Sequence, residues 1–390
     1  MTHRRPRAAA LLAVVAALAL PAAAAHADPG PYVALGDSYT AAPLVPNLVG
    51  RPIGCGRSDH DYPALVAAAT GVTQFHDESC SAAKTDDMTA PQRVLLGVHA
   101  PQFDGLVPDA TLVTIGIGGN DVQLVDAAVK CVQLGLLSPL GNACRRHFAK
   151  PGGGDAIVDR IGVTAPKIAA TLQGIHARAA QARVLIVGYP AVAPRDGRSC
   201  YPLVPLSTDD LSYLDEMLRR TNAMLAEQAA ANDAEYVDTY DESVGHDVCT
   251  GPRTRWFEGL IPTSPAFPIH PNARGEASMA RSVLRVLAQP RPGPTVSALT
   301  VAQKTVGPSR AASFSYTLSR TAGVTFALAR SRGGGRYSTL RVRTVAAGAG
   351  YNTFTLPAAQ LGRQGGLYRL TAMPQGGAPH FVYFRVRRAR

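Results

Sequence analysis

The sequence predicts an α/β protein with a parallel sheet covered on both faces, a three-layer sandwich, followed by a small all-β sandwich domain. Three observations carry this. Short apolar runs near 32–36, 111–117 and 184–189 alternate with longer helical segments, the pattern of strand–helix–strand units. The first two of these runs end in small polar residues with permissive glycines, as strand ends that bind ligands do. The last hundred residues, Arg291–Arg390, hold fifteen Lys or Arg and no Asp or Glu.

In chain order, Arg4, Arg5 and Arg7 precede an apolar run from Ala8 to Ala25, and Ala25-His26-Ala27 fits a small-residue cleavage site. Residues 1–27 are therefore expected to be a secretory signal, with Pro21 arguing against a membrane anchor. Tyr32–Gly36 reads as a buried strand, and Tyr62–Thr70 as a short helix after a Pro- and Gly-rich loop. Val72–Phe75 is the second expected strand and Thr111–Ile117 the third. Residues 126–156 read as an excursion closed by a small disulfide loop. Then come a helix over Ile157–Gln181, a strand over Val184–Tyr189 and a helix from the Ser207 cap to Ala231. A fifth strand is expected over Glu235–Tyr240, and a closing helix over Asn272–Leu287. No later segment has the roughly 20 apolar residues of a spanning helix.

The charge divides the chain. With the tail and the three leader arginines set aside, the body keeps 21 basic residues against 28 acidic ones. An acidic body (28–288) and a basic β-sandwich (295–390) are expected to be separate domains, joined by a Pro-rich linker over 289–294. Cys55, Cys80, Cys131, Cys144, Cys200 and Cys249 form an even set without a CxxC pair. That favours disulfides in an oxidising compartment over a zinc site. Pairing of sequence neighbours is the simplest of several connectivities. Gly118-Gly119 is not followed by Lys and Ser or Thr, which argues against a phosphate-binding loop.

A serine hydroxyl attacks a carbonyl only when a base removes its proton and donors hold the oxyanion. Ser38 follows the first strand, and His270 stands on a loop just before the last helix, where it can take that proton near neutral pH. With Gly36-Asp37-Ser38-Tyr39, Gly118-Gly119-Asn120-Asp121 and His270-Pro271-Asn272 in this order, the chain resembles the SGNH (GDSL-type) hydrolases. More narrowly it is similar to their secreted actinobacterial lipases and esterases, over about residues 31–288.

The resemblance implies the SGNH-hydrolase sandwich and carboxylic ester hydrolysis through an acyl-enzyme. It implies Ser38 as nucleophile, His270 as general base, and neighbour pairing of the cysteines as 55–80, 131–144 and 200–249. The Ser38 N–H, the Asn120 side chain and the Ala82 N–H are implied as oxyanion donors, although the family usually has glycine at the Ala82 position. Many members carry an aspartate three residues before the histidine, where this chain has Phe267. The lipase-like subgroup uses a main-chain carbonyl instead, here that of Phe267 or Pro268, with Asp247 or Glu258 as the alternative carboxylates. Asp37 is expected to bond the turn, His246 to pack beside the last disulfide, and Trp256 and Phe257 to pack near the site.

Neither a metal nor a cofactor is expected. The substrate implied is a lipid or another ester, with phospholipase A1-type lipids and acetylated polysaccharide both in view. A surface-binding protein with a degenerate hydrolase domain is the rival reading, opposed by the intact Ser38, Asn120 and His270. The tail shows alternating segments at 312–318, 324–329, 340–345, 352–356, 367–372 and 381–386, the spacing of a β-sandwich. It resembles the immunoglobulin-like modules of secreted enzymes, and its charge suits an anionic cell-surface polymer or lipid as well as a solubilising spacer. No nucleic-acid partner is expected, and the protein is read as a secreted monomer.

Overall fold

The structure is a computed structural model and describes residues 29–138, 140–307, 309–361 and 364–388. The expected leader, 1–27, lies outside the described residues. The first part of the chain comprises β1 (Tyr32–Gly36), α1 (Ser38–Ala41), α2 (Tyr62–Thr70), β2 (Phe75–Asp77) and a small hairpin, β3 (Gln92–Val94) with β4 (Gly97–His99). It continues with β5 (Leu112–Gly116), α3 (Gly119–Val122), α4 (Leu124–Leu137), α5 (Ala143–Phe148) and α6 (Ala156–Arg178). Then follow β6 (Arg183–Val187), α7 (Thr208–Ala231), β7 (Glu235–Val237), α8 (Tyr240–Ser243) and α9 (Ala273–Leu287).

Five strands pair in parallel in the order β2-β1-β5-β6-β7. The alternation along each strand serves two cores. Val33, Leu35, Val113, Ile115, Val184 and Ile186 face α4, α6 and α7, whereas Tyr32, Ala34, Leu112, Leu185 and Val187 face α2 and α9. Each such aliphatic side chain, fully buried, contributes about 1.5–3 kcal/mol. After β1 the chain runs to one side of the sheet, and β5 lies on the other, so the β1/β5 boundary is the topological switch point where α/β sheets bind ligands. Register aligns Gly36 with Gly116, so both strands end level. Gly36 has φ +148°, and a Cβ there would meet Thr40 Oγ1 at 2.3 Å and Gly116 O at 2.6 Å. Only glycine lets the two strand ends approach this closely.

Several boundaries differ from the sequence reading. The second strand starts at Phe75, not Val72. The fifth stops at Val237 because the Asp238 carboxylate accepts the Tyr240 N–H at 2.7 Å and turns the chain into α8. The expected excursion over 126–156 is mostly helical, with α4 and α5 joined by Cys131–Cys144. The other bonds are Cys55–Cys80 and Cys200–Cys249. No helix among the described residues is long and apolar enough to cross a membrane.

The C-terminal part adds β8 (Val296–Val301), β9 (Thr305–Val306), β10 (Ala312–Leu318), β11 (Ala322–Gly333), β12 (Arg336–Ala347) and β13 (Gly350–Leu356). A single turn, α10 (Ala358–Leu361), precedes β14 (Gly366–Pro374) and β15 (His380–Val386). They form two largely antiparallel sheets, β13-β10-β8 and β12-β11-β14-β15-β9. Phe314, Tyr316, Phe326, Phe354, Leu370 and Phe384 fill one core between them. The strands β8 and β9, short and half-exposed, were not among the six alternating segments. Asp233, after α7, accepts from Arg291 and Arg320 at 3.4 and 3.0 Å.

Candidate active site

Ser38 is the first residue of α1, placed there by its neighbours. Asp37 caps the turn, one carboxylate oxygen accepting the Tyr39 N–H at 2.9 Å. The other accepts the Tyr189 hydroxyl at 2.5 Å, and that hydroxyl accepts the Gly119 N–H at 2.7 Å. Asp37 and Tyr189 thereby tie the end of β1 to the turn after β5. A Cβ on Gly119 would lie 2.9 Å from the Tyr189 ring, so glycine is needed there. Burial pushes the Asp37 carboxyl up to about 7, opposed by the Tyr189 and Tyr39 hydrogen bonds.

His270 comes to Ser38 from the far end of the α/β part, 232 residues along the chain. Its loop is held as a short bridge, Glu258 N–H to His270 O at 3.0 Å and Ile269 N–H to Glu258 O at 3.1 Å. Asn272 then caps α9. Ile269 has φ +63°, a left-handed conformation that costs a β-branched residue about 1–3 kcal/mol. The Tyr39 hydroxyl holds its carbonyl at 2.7 Å, so the residue after Ser38 also fixes the residue before His270.

Ser38 Oγ lies 2.7 Å from His270 Nε2, and His270 Nδ1 lies 2.8 Å from the Pro268 carbonyl. A carbonyl only accepts, so Nδ1 carries the hydrogen and Nε2 is left to accept from the serine. Burial lowers the His270 pKa below its ordinary value, with the Pro268 bond opposing. Burial thus favours the neutral imidazole, the form a base requires.

No carboxylate contacts the ring among the described residues. Glu258 accepts from Thr263 N at 2.7 Å and from Asn272 Nδ2 at 2.8 Å, and Asp247 accepts from Cys249 N at 2.9 Å. Asp37→Asn, Asp247→Asn and Glu258→Gln are each expected to keep kcat of the folded protein within about tenfold. A triad aspartate changed to its amide costs about 10⁴. Steady-state kinetics on a soluble ester, with melting curves to verify folding, distinguishes the two.

The expected oxyanion donors converge on the same strand ends. Cys80 N–H bonds Gly36 O at 3.0 Å, which lays the Cys80–Lys84 turn beside Ser38. Ala82 adopts φ +65°, so alanine occupies the left-handed conformation that glycine takes more cheaply. It is exposed, leaving room for its methyl group. Asn120 Nδ2 donates to Ala83 O at 2.9 Å, and the Asp121 carboxylate accepts from Thr85 N at 3.0 Å. These bonds lock the Ala82 and Asn120 segments together. The N–H groups of Ser38 and Ala82 have no acceptor among the described residues.

Ser38, Asn120 and Tyr189 open onto a cleft of about 110 Å³ whose walls are otherwise almost wholly apolar. Leu124, Val125, Ala128 and Val132 of α4 form one wall, and Leu211, Leu214 and Leu218 of α7 another. Sequence reasoning expected α7, but not as a cleft wall, and missed the α4 wall, since α4 was not expected as a helix. Its i, i+4 spacing of 124, 128 and 132 was the available signal. Trp256 and Phe257 do not line the cleft. Phe257 is fully buried, and Trp256 stacks on His246 with ring centroids 3.6 Å apart, so His246 packs on that ring.

Residues 34–277 match the GDSL-like lipase/acylhydrolase family. The chain belongs to that family. It is a lipase/esterase-type hydrolase, and its relatives agree. Lipase 2 of Streptomyces coelicolor is 39% identical over 70% of this chain and 92% of its own. A Streptomyces rimosus lipase is 30% identical over 71% of this chain and 95% of its own. Among solved structures, phospholipase A1 from Streptomyces albidoflavus superposes with TM-score 0.55 at 25% identity, covering 66% of this chain and 98% of that one. An extracellular lipase from Streptomyces rimosus gives TM-score 0.55 at 28% identity over the same shares. These shares correspond in size to the α/β part.

Proposed function

We propose that this lipase/esterase is an exported serine hydrolase that cleaves lipid esters through an acyl-enzyme on Ser38, using a serine–histidine dyad. The observation that carries this reading is the 2.7 Å Ser38–His270 bond at the head of an apolar cleft. Ser38 Oγ attacks the ester carbonyl carbon while its proton passes to His270 Nε2. The carbonyl oxygen becomes an oxyanion held by the Ser38 and Ala82 N–H groups and the Asn120 amide. Collapse breaks the bond to the leaving alcohol, which takes the proton from Nε2. Water then gives a proton to the same nitrogen and attacks the acyl carbon; collapse breaks the acyl–Oγ bond, the acid departs, and Ser38 Oγ takes the proton back from Nε2. No step calls for a cofactor.

The cleft walls favour an acyl chain longer than acetate. Export is supported by the leader, the three disulfides and a relative described as extracellular. The charge split supports two domains, 28–288 and 295–390, about the 289–294 linker.

A fluorophosphonate probe is expected to label the wild-type chain on Ser38 and to leave Ser38→Ala unlabelled. Activity across a p-nitrophenyl ester series should rise from acetate to longer chains. Labelling elsewhere would remove Ser38 as nucleophile, and a maximum at acetate would point to an acetyl esterase instead.

A further inference from the structure

The C-terminal sheets carry a feature that ester hydrolysis does not use. Strand register places Ala329, Arg369 and Tyr383 in one row and Val342, Ala327, Thr371 and Phe381 in the next. Side chains alternate along a strand. Phe326, Leu328, Leu370 and Phe384 point into the core, so Arg369, Val342, Phe381 and Tyr383 share the outward face of the five-stranded sheet. Val342 is 62% exposed, Phe381 55%, Met373 45% and Tyr383 44%. The Arg369 guanidinium sits 4.5 Å from the Tyr337 ring centroid and 5.8 Å from that of Phe381. It makes no ion pair or hydrogen bond among the described residues, and its Nε is buried without a partner. No acidic residue lies anywhere from 291 to 390 to neutralise it.

We propose that this face docks the enzyme on an anionic lipid surface, with Phe381, Tyr383, Val342 and Met373 entering the headgroup layer and Arg369 taking a lipid phosphate. The tyrosine ring of Tyr383, with one polar end, belongs at a lipid–water boundary, and Phe381 beside it adds apolar area to bury. An arginine framed by rings presents its donors to phosphate without a competing carboxylate. Thirteen of the fifteen cations in this part, all but the Arg291 and Arg320 that pair with Asp233, supply the long-range attraction. A polysaccharide fits the face less well. Phe381 and Tyr383 stand at 64° to each other, and Tyr337 and Tyr383 at 37°, so no flat strip is offered for stacking sugar rings. Val342 and Met373 add bulk that a sugar cannot stack on.

The test uses the full chain with vesicles of ether-linked phosphatidylglycerol or phosphatidylcholine, which no esterase consumes. Wild type should co-sediment with phosphatidylglycerol, lose that binding as salt rises, and bind phosphatidylcholine at least tenfold more weakly. Arg369→Gln should weaken phosphatidylglycerol binding about fivefold. The Phe381→Ser, Tyr383→Ser pair should weaken it at least about tenfold through lost apolar burial. Both variants should hydrolyse p-nitrophenyl butyrate as wild type does, since their changes lie on an exposed face outside the cleft. Equal binding to the two lipids would overturn the proposal. So would an aromatic pair variant that binds like wild type, or capture by an acidic polysaccharide without binding to vesicles.

Discussion

The double variant Ser38→Ala, His270→Ala is expected to hydrolyse a soluble ester no more slowly than Ser38→Ala alone. The two groups form one device. In the proposed mechanism His270 accelerates only by taking a proton from Ser38 or from the deacylating water, and Ser38 attacks only when Nε2 accepts that proton across 2.7 Å. Removing either leaves the other without a task, as with catalytic residues that act as a unit. His270→Ala alone should lower kcat by about 10²–10⁴, the range of general-base catalysis, with KM little changed. The pH profile gives a second readout. Burial lowers the His270 pKa, so the acid limb of kcat/KM should lie below the ordinary imidazole value of about 6.5. Activity falls as pH drops through it, because protonated Nε2 cannot accept. In His270→Ala that limb should vanish. Losses that simply multiply, or an acid limb that persists, would place the base elsewhere.

How much of this was legible varies with the range of the interaction. Ser38 and Asn120 could be found because the pattern that ends β1 and β5 is local, and glycines mark the turns that follow. His270 was legible from its place before the α9 cap. The Pro268 carbonyl was one of two candidates implied by the family resemblance, which the lack of acids from Gly259 to Ile269 accompanies. Tyr39 and Tyr189 escaped notice because their roles are contacts across 230 and 152 residues. No sequence spacing encodes such pairs. Ile269 escaped for a related reason. Nothing about an isoleucine suggests φ +63°; Ile269 stands third in a turn closed by His270 N–H to Phe267 O at 3.1 Å, and the Tyr39 bond and the Glu258 bridge hold it there. The helical nature of 126–156 was hidden by its cysteines and glycines, which read as a loop. Its apolar residues gain their purpose as a cleft wall.

Asn120→Ala is expected to cost about 10²–10³ in kcat, the range for losing one oxyanion donor, with KM little changed. The amide would bind the oxygen only once negative charge develops on it, so its removal should raise the barrier without weakening the ground state. The structure adds a complication, since Asn120 Nδ2 also donates to Ala83 O at 2.9 Å. Alanine would remove that anchor too and free the Ala82 turn, so part of the loss could come from a displaced backbone donor. Asn120→Asp separates the causes. It keeps the side chain's shape but sets a carboxylate against both Ala83 O and the oxyanion, and should be slower than Asn120→Ala. Asn120→Ser should fall between alanine and wild type, because its hydroxyl can donate from a shorter reach. If all three substitutions cost less than about tenfold while Ser38→Ala is inactive, the oxyanion is held by backbone N–H groups alone. The order wild type, serine, alanine, aspartate in kcat at constant KM would instead require a side-chain donor at position 120.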